Sequence, residues 1–133
     1  MVENIVHGGE TFAIIVHAGF KESGIHFFTP PSYSQQLAYM RHPEGRKIPP
    51  HIHNPVTRSV EYTCEVLFIK KGRLRVDFYG EDRVLFTSRE LSDGDTILLI
   101  KGGHGFEALS ELEMLEVKQG PYSGDHDKTR FEP

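Results

Sequence analysis

Glu65-Val66-Leu67-Phe68-Ile69-Lys70-Lys71-Gly72-Arg73-Leu74-Arg75-Val76-Asp77-Phe78-Tyr79-Gly80-Glu81-Asp82-Arg83-Val84-Leu85-Phe86-Thr87 is the stretch that decides the fold class. It holds three short pieces of strand character, Glu65–Ile69, Arg73–Tyr79 and Arg83–Thr87, cut by turn signals at Lys71-Gly72 and Gly80-Glu81-Asp82. Gly80-Glu81-Asp82 between two such runs predicts a hairpin. The same grammar extends in both directions. Upstream lie Thr11–His17, Gly24–Phe28 and Gln36–Arg41; downstream lie Asp95–Lys101 and Glu113–Val117. Gly8-Gly9, Pro30-Pro31, Pro43-Glu44-Gly45, Pro49-Pro50, Asp93-Gly94 and Gly102-Gly103 mark the turns. Only Ser32–Gln36 and Glu107–Leu112 offer room for a helical turn. Many short strands with regular turns predict an all-β sandwich or closed barrel.

Composition sets the bounds. At 133 residues the chain fits a single domain, 1–133, able to bury a core without disulfides or a structural metal. Nine Phe and five Tyr among β-branched residues, with thirteen Gly, eight Pro and no Trp, favour strands and turns. A net charge of −4 and no basic run longer than Lys70-Lys71 argue against nucleic acid as a partner. No apolar run approaches the ~20 residues of a membrane span. Met1-Val2-Glu3-Asn4 lacks a signal-peptide pattern, and Cys64 is the only cysteine, so the expected compartment is cytoplasmic.

Eight histidines are many for this length. On a strand, His51 and His53 would share a face and two imidazoles could converge on one ion; in a Pro-rich loop they would be two exposed rings. Glu65 opens an otherwise apolar strand, where a carboxylate is costly if buried unpaired. A cation explains it, and so does a solvated strand end. His104 follows the apolar run Thr96–Ile100 on the turn Gly102-Gly103, which lets backbone come close. Three imidazoles and one carboxylate suit Fe, Mn, Ni, Cu or Zn. His7, His17, His26, His42 and His126 have no paired spacing and read as surface or satisfied positions. Cys64 reads as a packing residue.

These residues resemble the cupin superfamily over roughly 37–117. The first motif there is similar to Gly-x5-His-x-His-x(3–4)-Glu-x6-Gly, and the second to Gly-x5-Pro-x-Gly-x2-His-x3-Asn. Gly45-x5-His51, Glu65-x6-Gly72 and Gly94 match. The eleven residues between His53 and Glu65 form an insertion, Ile100 stands at the motif's Pro, and Ala108 or a neighbour replaces its Asn. Glu61 lies nearer His53, but only Glu65 has the glycine at the right distance. The resemblance implies a double-stranded β-helix (cupin, or jelly-roll) barrel with one divalent metal ion on His51, His53, Glu65 and His104. The tail Glu116-Val117-Lys118-Gln119-Gly120-Pro121-Tyr122-Ser123-Gly124-Asp125-His126-Asp127-Lys128-Thr129-Arg130-Phe131 resembles the end of the cupin-type mannose-6-phosphate isomerase domain. Glu116, Val117, Gly120, Tyr122, Gly124, Asp127, Arg130 and Phe131 match.

The implied function is that of a metal-dependent cupin acting on a carbohydrate or sugar phosphate, with isomerase or epimerase chemistry. Glu116, Tyr122, Asp127 and Arg130 are the candidate catalytic or pocket residues; His126 is a further candidate base, and Asp125 a further pocket-border residue. The alternatives are a metal-dependent dioxygenase of a small carbonyl or aromatic compound and a non-catalytic ligand-binding module. The apolar surplus of Thr11–Phe28 predicts a sheet edge covered within the chain or by a partner, hence a two-fold homodimer.

Overall fold

Two backbone hydrogen bonds close the turn after Tyr79: Arg83 N–H donates to the Gly80 carbonyl at 2.9 Å, and Gly80 N–H donates to the Val84 carbonyl at 3.0 Å. Arg83 takes a left-handed φ of 66° there. The computed structural model, which describes all 133 residues, builds the rest of the chain from the same device. Ten strands follow in order: β1 (Val2–His7), β2 (Glu10–Val16), β3 (Gly24–Phe27), β4 (Ala38–Arg41), β5 (Glu65–Lys71), β6 (Leu74–Tyr79), β7 (Leu85–Leu91), β8 (Thr96–Leu99), β9 (Gly103–Ala108) and β10 (Glu113–Lys118). One 3-10 turn, Gly124–Asp127, completes the list. The protein is all-β, with three antiparallel sheets. No helix is long and apolar enough to cross a membrane.

The chain forms two compact units, Met1–Phe20 with Tyr62–Pro133, and Lys21–Glu61. The first contains a five-stranded sheet in the order β1-β2-β8-β5-β10 and a three-stranded sheet in the order β7-β6-β9. Period-two alternation explains its core. Along β6, Leu74, Val76 and Phe78 are buried while Arg75 and Asp77 between them are not. These three and Leu91 meet Ile5, Ala13, Ile15, Leu67, Ile69, Ile97 and Leu99 from the larger sheet in one apolar cluster. Phe12, Ile14 and Ile15 of the Thr11–Phe28 surplus are therefore buried inside the chain.

Asp95 ties three strand ends together. Its Oδ1 accepts from Ala18 N–H and its Oδ2 from Ser92 N–H, both at 2.8 Å, while its carbonyl accepts from Ile69 N–H at 2.9 Å. Gly72, at φ 105°, lies so close to the Glu111 backbone that a Cβ would collide with its carbonyl oxygen. The glycine that ends β5 is required by that approach.

In the second unit β3 pairs with β4, and Thr29 organises the connecting loop. Its hydroxyl donates to Gln36 Oε1 at 2.8 Å and accepts from Leu37 N–H at 3.2 Å. Residues 32–36 and 109–112 form no helical turn, and residues 42–61 carry no regular secondary structure. His51 and His53 are thus on an extended loop, not on a strand. β1 and β9 are strands that the sequence pattern did not mark, and β9 includes His104.

Asp95→Ala is expected to leave two backbone donors without their acceptor and to lower the unfolding free energy by about 1–3 kcal/mol. Urea denaturation checks this, with an unchanged midpoint as the contrary result.

Candidate functional site

Glu65 is the first residue of β5 and shares a face with Leu67 and Ile69, so its carboxyl group points toward the interior side of the sheet. Register brings it company. On β10, Glu116 stands opposite Leu67, and Lys118 opposite Glu65, on the same face. From the other sheet, β9 sets His104 opposite Phe78. His104 Nε2 lies 3.7 Å from Glu65 Oε1, with the two side chains only 27% and 18% exposed. The four groups border a cavity of about 950 Å³ that belongs wholly to the first unit.

The glycine turn before β9 makes this approach possible. Gly102, at φ 75°, packs against the Phe12 ring, and a Cβ on Gly103 would lie 3.0 Å from Phe131 and from Tyr79 Cβ. Only glycines let β9 come this near the aromatic side chains.

Electrostatics divides the carboxyl pair. The contact with His104, long for a hydrogen bond, does most to hold the Glu65 carboxyl down to about 2. Burial works the other way, and Glu116 and Lys118 add to the lowering. Glu116 is pushed above its ordinary value, first by its hydrogen bond to Glu65, then by burial and by repulsion from the Glu65 charge. A carboxyl group held ionised beside one that binds its proton more tightly than usual is an arrangement through which a proton can pass.

The C-terminal segment supplies another wall. Thr63 Oγ1 donates to Asp127 Oδ2 at 2.8 Å, and the Phe131 ring packs edge-on against Tyr79 with centroids 5.2 Å apart. Asp127 and Arg130 line the cavity, whereas Tyr122, 87% exposed, and His126 do not. Arg83, Lys118 and Lys128 also line it; the sequence pattern singled out none of them, since lone cations without motif spacing carry no signal.

His51 and His53 belong to the second unit, with ring centroids 5.2 Å apart. His51 Nδ1 is 3.0 Å from the Pro49 carbonyl, which can only accept, so that nitrogen donates and Nε2 of the neutral ring keeps its lone pair. The structure therefore holds two donor pairs, Glu65 with His104 and His51 with His53. Nowhere do three or more His, Cys, Asp or Glu side chains converge as a ready metal-holding group. Of the remaining histidines, His7 stacks on Phe86 at 4.1 Å, His17 lies 3.6 Å from Glu3 and 3.7 Å from Asp95, and His26 is 2.8 Å from the Ser23 carbonyl. Cys64 is buried with its Sγ toward the Ile100 carbonyl.

Comparison with known protein families, curated proteins and solved structures finds no match for this chain. The site is read from its own residues.

Glu116→Gln keeps a hydrogen-bonding group and removes the like charge. Because the raised carboxyl binds its proton more tightly folded than unfolded, ionised Glu116 opposes folding at neutral pH, and that penalty is relieved as pH falls through the raised value. The variant is thus expected to be more stable than wild type at neutral pH by a few tenths of a kcal/mol, solvent screening included. The gain should fade as pH falls toward 4.5, the ordinary value for the group. Parallel thermal melts across that range check the sign; a gain that grows on acidification contradicts it.

Proposed function

We propose that this protein is a metal-binding cupin that acts on a small hydroxylated carbonyl compound of the carbohydrate or sugar-phosphate class, with isomerase or epimerase chemistry. The observation that carries the reading is the Glu65–His104 pair at the edge of a large cavity lined by both polar and apolar groups. The double-stranded β-helix is the finer form of the two-sheet sandwich seen in the first unit. Conserving that reading, the cavity is the barrel lumen.

The donor chemistry fits a divalent cation. Glu65 is an anion well below its ordinary range, and His51 presents a free Nε2 because Nδ1 is occupied by a carbonyl, the orientation that ligating imidazoles use. Glu65 and His104 would hold the ion, and the sequence motif adds His51 and His53 as further candidate ligands. Fe, Mn, Zn and Ni all accept such a set. When bound, the ion would polarise a substrate carbonyl or acidify a bound water.

The chain's own residues would do the rest. Glu116 is placed to hold or release a proton beside Glu65, and Asp127, fixed by Thr63, and Arg130 would border the bound compound. The hydroxyl and charged groups on part of the wall, Thr63, Asp127 and Arg130 among them, would suit a hydroxylated ligand. A non-catalytic carrier would leave Glu116 without a task.

A two-fold dimer accompanies this reading. Ile25 and Met40 face each other across β3 and β4 and, with Phe27, stay more than half exposed. A two-stranded sheet is marginal in water without a partner surface. We expect a dimer in sedimentation equilibrium at micromolar concentration, shifted toward monomer by Phe27→Asp; a wild-type monomer contradicts it.

Elemental analysis of purified protein tests the metal assignment. Wild type is expected to carry one divalent ion per chain, and His51→Ala with His53→Ala, or Glu65→Ala with His104→Ala, to lose stoichiometric binding. The control His7→Ala with His126→Ala is expected to retain it. Full metal content in either double variant sinks the assignment.

A further inference from the structure

The chain from residue 121 onward lies on the first unit without joining either of its sheets. β10 ends at Lys118, and Gln119 N–H then donates to the Cys64 carbonyl at 3.1 Å. Beyond that point the backbone bond is internal, from Lys128 N–H to the Asp125 carbonyl at 3.4 Å. The ion pair of Arg130 with Asp125, at 3.5 Å, is internal too. Gly124 and Phe131 are half-buried, and every other residue of 121–133 is exposed.

Two contacts tie this segment back to the strands. Thr63 Oγ1 donates to Asp127 Oδ2 at 2.8 Å. Further along, the Phe131 ring rests edge-on against Tyr79, and its centroid lies 5.6 Å from the guanidinium carbon of Arg83. Gly103 leaves room for that ring, since a Cβ there would stand 3.0 Å from Phe131 Cζ. The same segment forms part of the cavity wall, to which it brings Asp127, Arg130 and Phe131. A stretch with few buried apolar contacts and no ladder hydrogen bonds opens locally at small free-energy cost.

We propose that residues 121–133 are a lid on this cavity, hinged at Gln119-Gly120 and latched by Asp127 on Thr63 and by Phe131 on Tyr79. It opens to admit a small molecule and closes to complete the wall. The proposal rests on the reading above only in taking this cavity as the functional one. One short segment carries both latches, so they release together. Closed, the lid sets Asp127 and Arg130 on the wall; open, it withdraws them with the Phe131 ring. Both sheets and the apolar core stay intact in either state.

NMR spectroscopy of the full-length protein tests this. Gly103 lies in the ring current of Phe131, so its signals report whether the ring is seated, and Phe131→Leu gives their position without it. Thr63→Val removes the other latch and leaves Phe131 in place. It is expected to raise the ratio of open to closed lid about fivefold, the worth of one hydrogen bond. The Gly103 signals should then move toward their Phe131→Leu position, or a second set there should grow if exchange is slow. With Phe131→Leu already present, Thr63→Val should leave Gly103 unmoved, because the ring it reports is gone. A soluble nitroxide, small enough to enter the cavity, should broaden the His104 signals more in Thr63→Val than in wild type. Gly103 signals that stay in place in Thr63→Val, or move equally in both backgrounds, overturn the proposal. Equal broadening of His104 in the two proteins overturns it as well. Metal content measured on the same samples separates the lid from the metal assignment: unmetallated protein that gives the expected response keeps the lid and removes the metal. A circular-dichroism melt matching wild type confirms that the variants are folded.

Discussion

A carboxylate at the head of an apolar strand is the constraint around which the first unit is arranged. Glu65 cannot turn away from the interior side without moving Leu67 and Ile69 with it, since the three share one face of β5 and a slip of one residue would expose both. The charge must then find partners where it is. It finds His104 from the opposite sheet and Glu116 from the neighbouring strand, and the cavity beside them keeps the cluster in contact with solvent.

The supporting structure follows from that placement. Asp95 fixes the ends of β2, β5 and β8 relative to one another, so the strand that carries Glu65 has a set register. Gly102 and Gly103 let β9 pass against Phe12 and Tyr79, which brings His104 to its partner. The C-terminal segment packs Phe131 on Tyr79 and anchors Asp127 on Thr63, adding a wall that belongs to no strand. Backbone hydrogen bonds and aromatic packing hold these pieces; the exposed ion pairs, such as Arg73 with Glu90, contribute little.

Much of the fold is legible in the sequence because its elements are short and punctuated. The hairpin through Gly80-Glu81-Asp82 and the runs that became β2, β5, β6, β8 and β10 stand out by β-branched and aromatic content between turn residues. β9 does not, because Gly103, His104 and Gly105 have low strand preference; pairing with β6 makes it a strand. β1 is masked by Glu3 and Asn4, yet Ile5 is buried in the core. Glu65 and His104 were found by motif spacing and do meet. His51 and His53 share the spacing of a strand pair but sit on a loop, where side-chain direction no longer follows residue parity. Glu116 carried only a weak signal from the tail, and its place beside Glu65 comes from register with β5, which sequence separation hides.

Under the proposed function, Glu65 and His104 are the fixed half of a metal centre, with Glu116 beside them on the same cavity. The most direct test of its central claim is an anomalous-difference map from crystals grown with Mn, Fe, Ni or Zn. One peak per chain is predicted, with Glu65 and His104 both within about 2.0–2.3 Å of it. A map that places the ion elsewhere, or shows none beside Glu65 and His104 with any of these metals, contradicts the account.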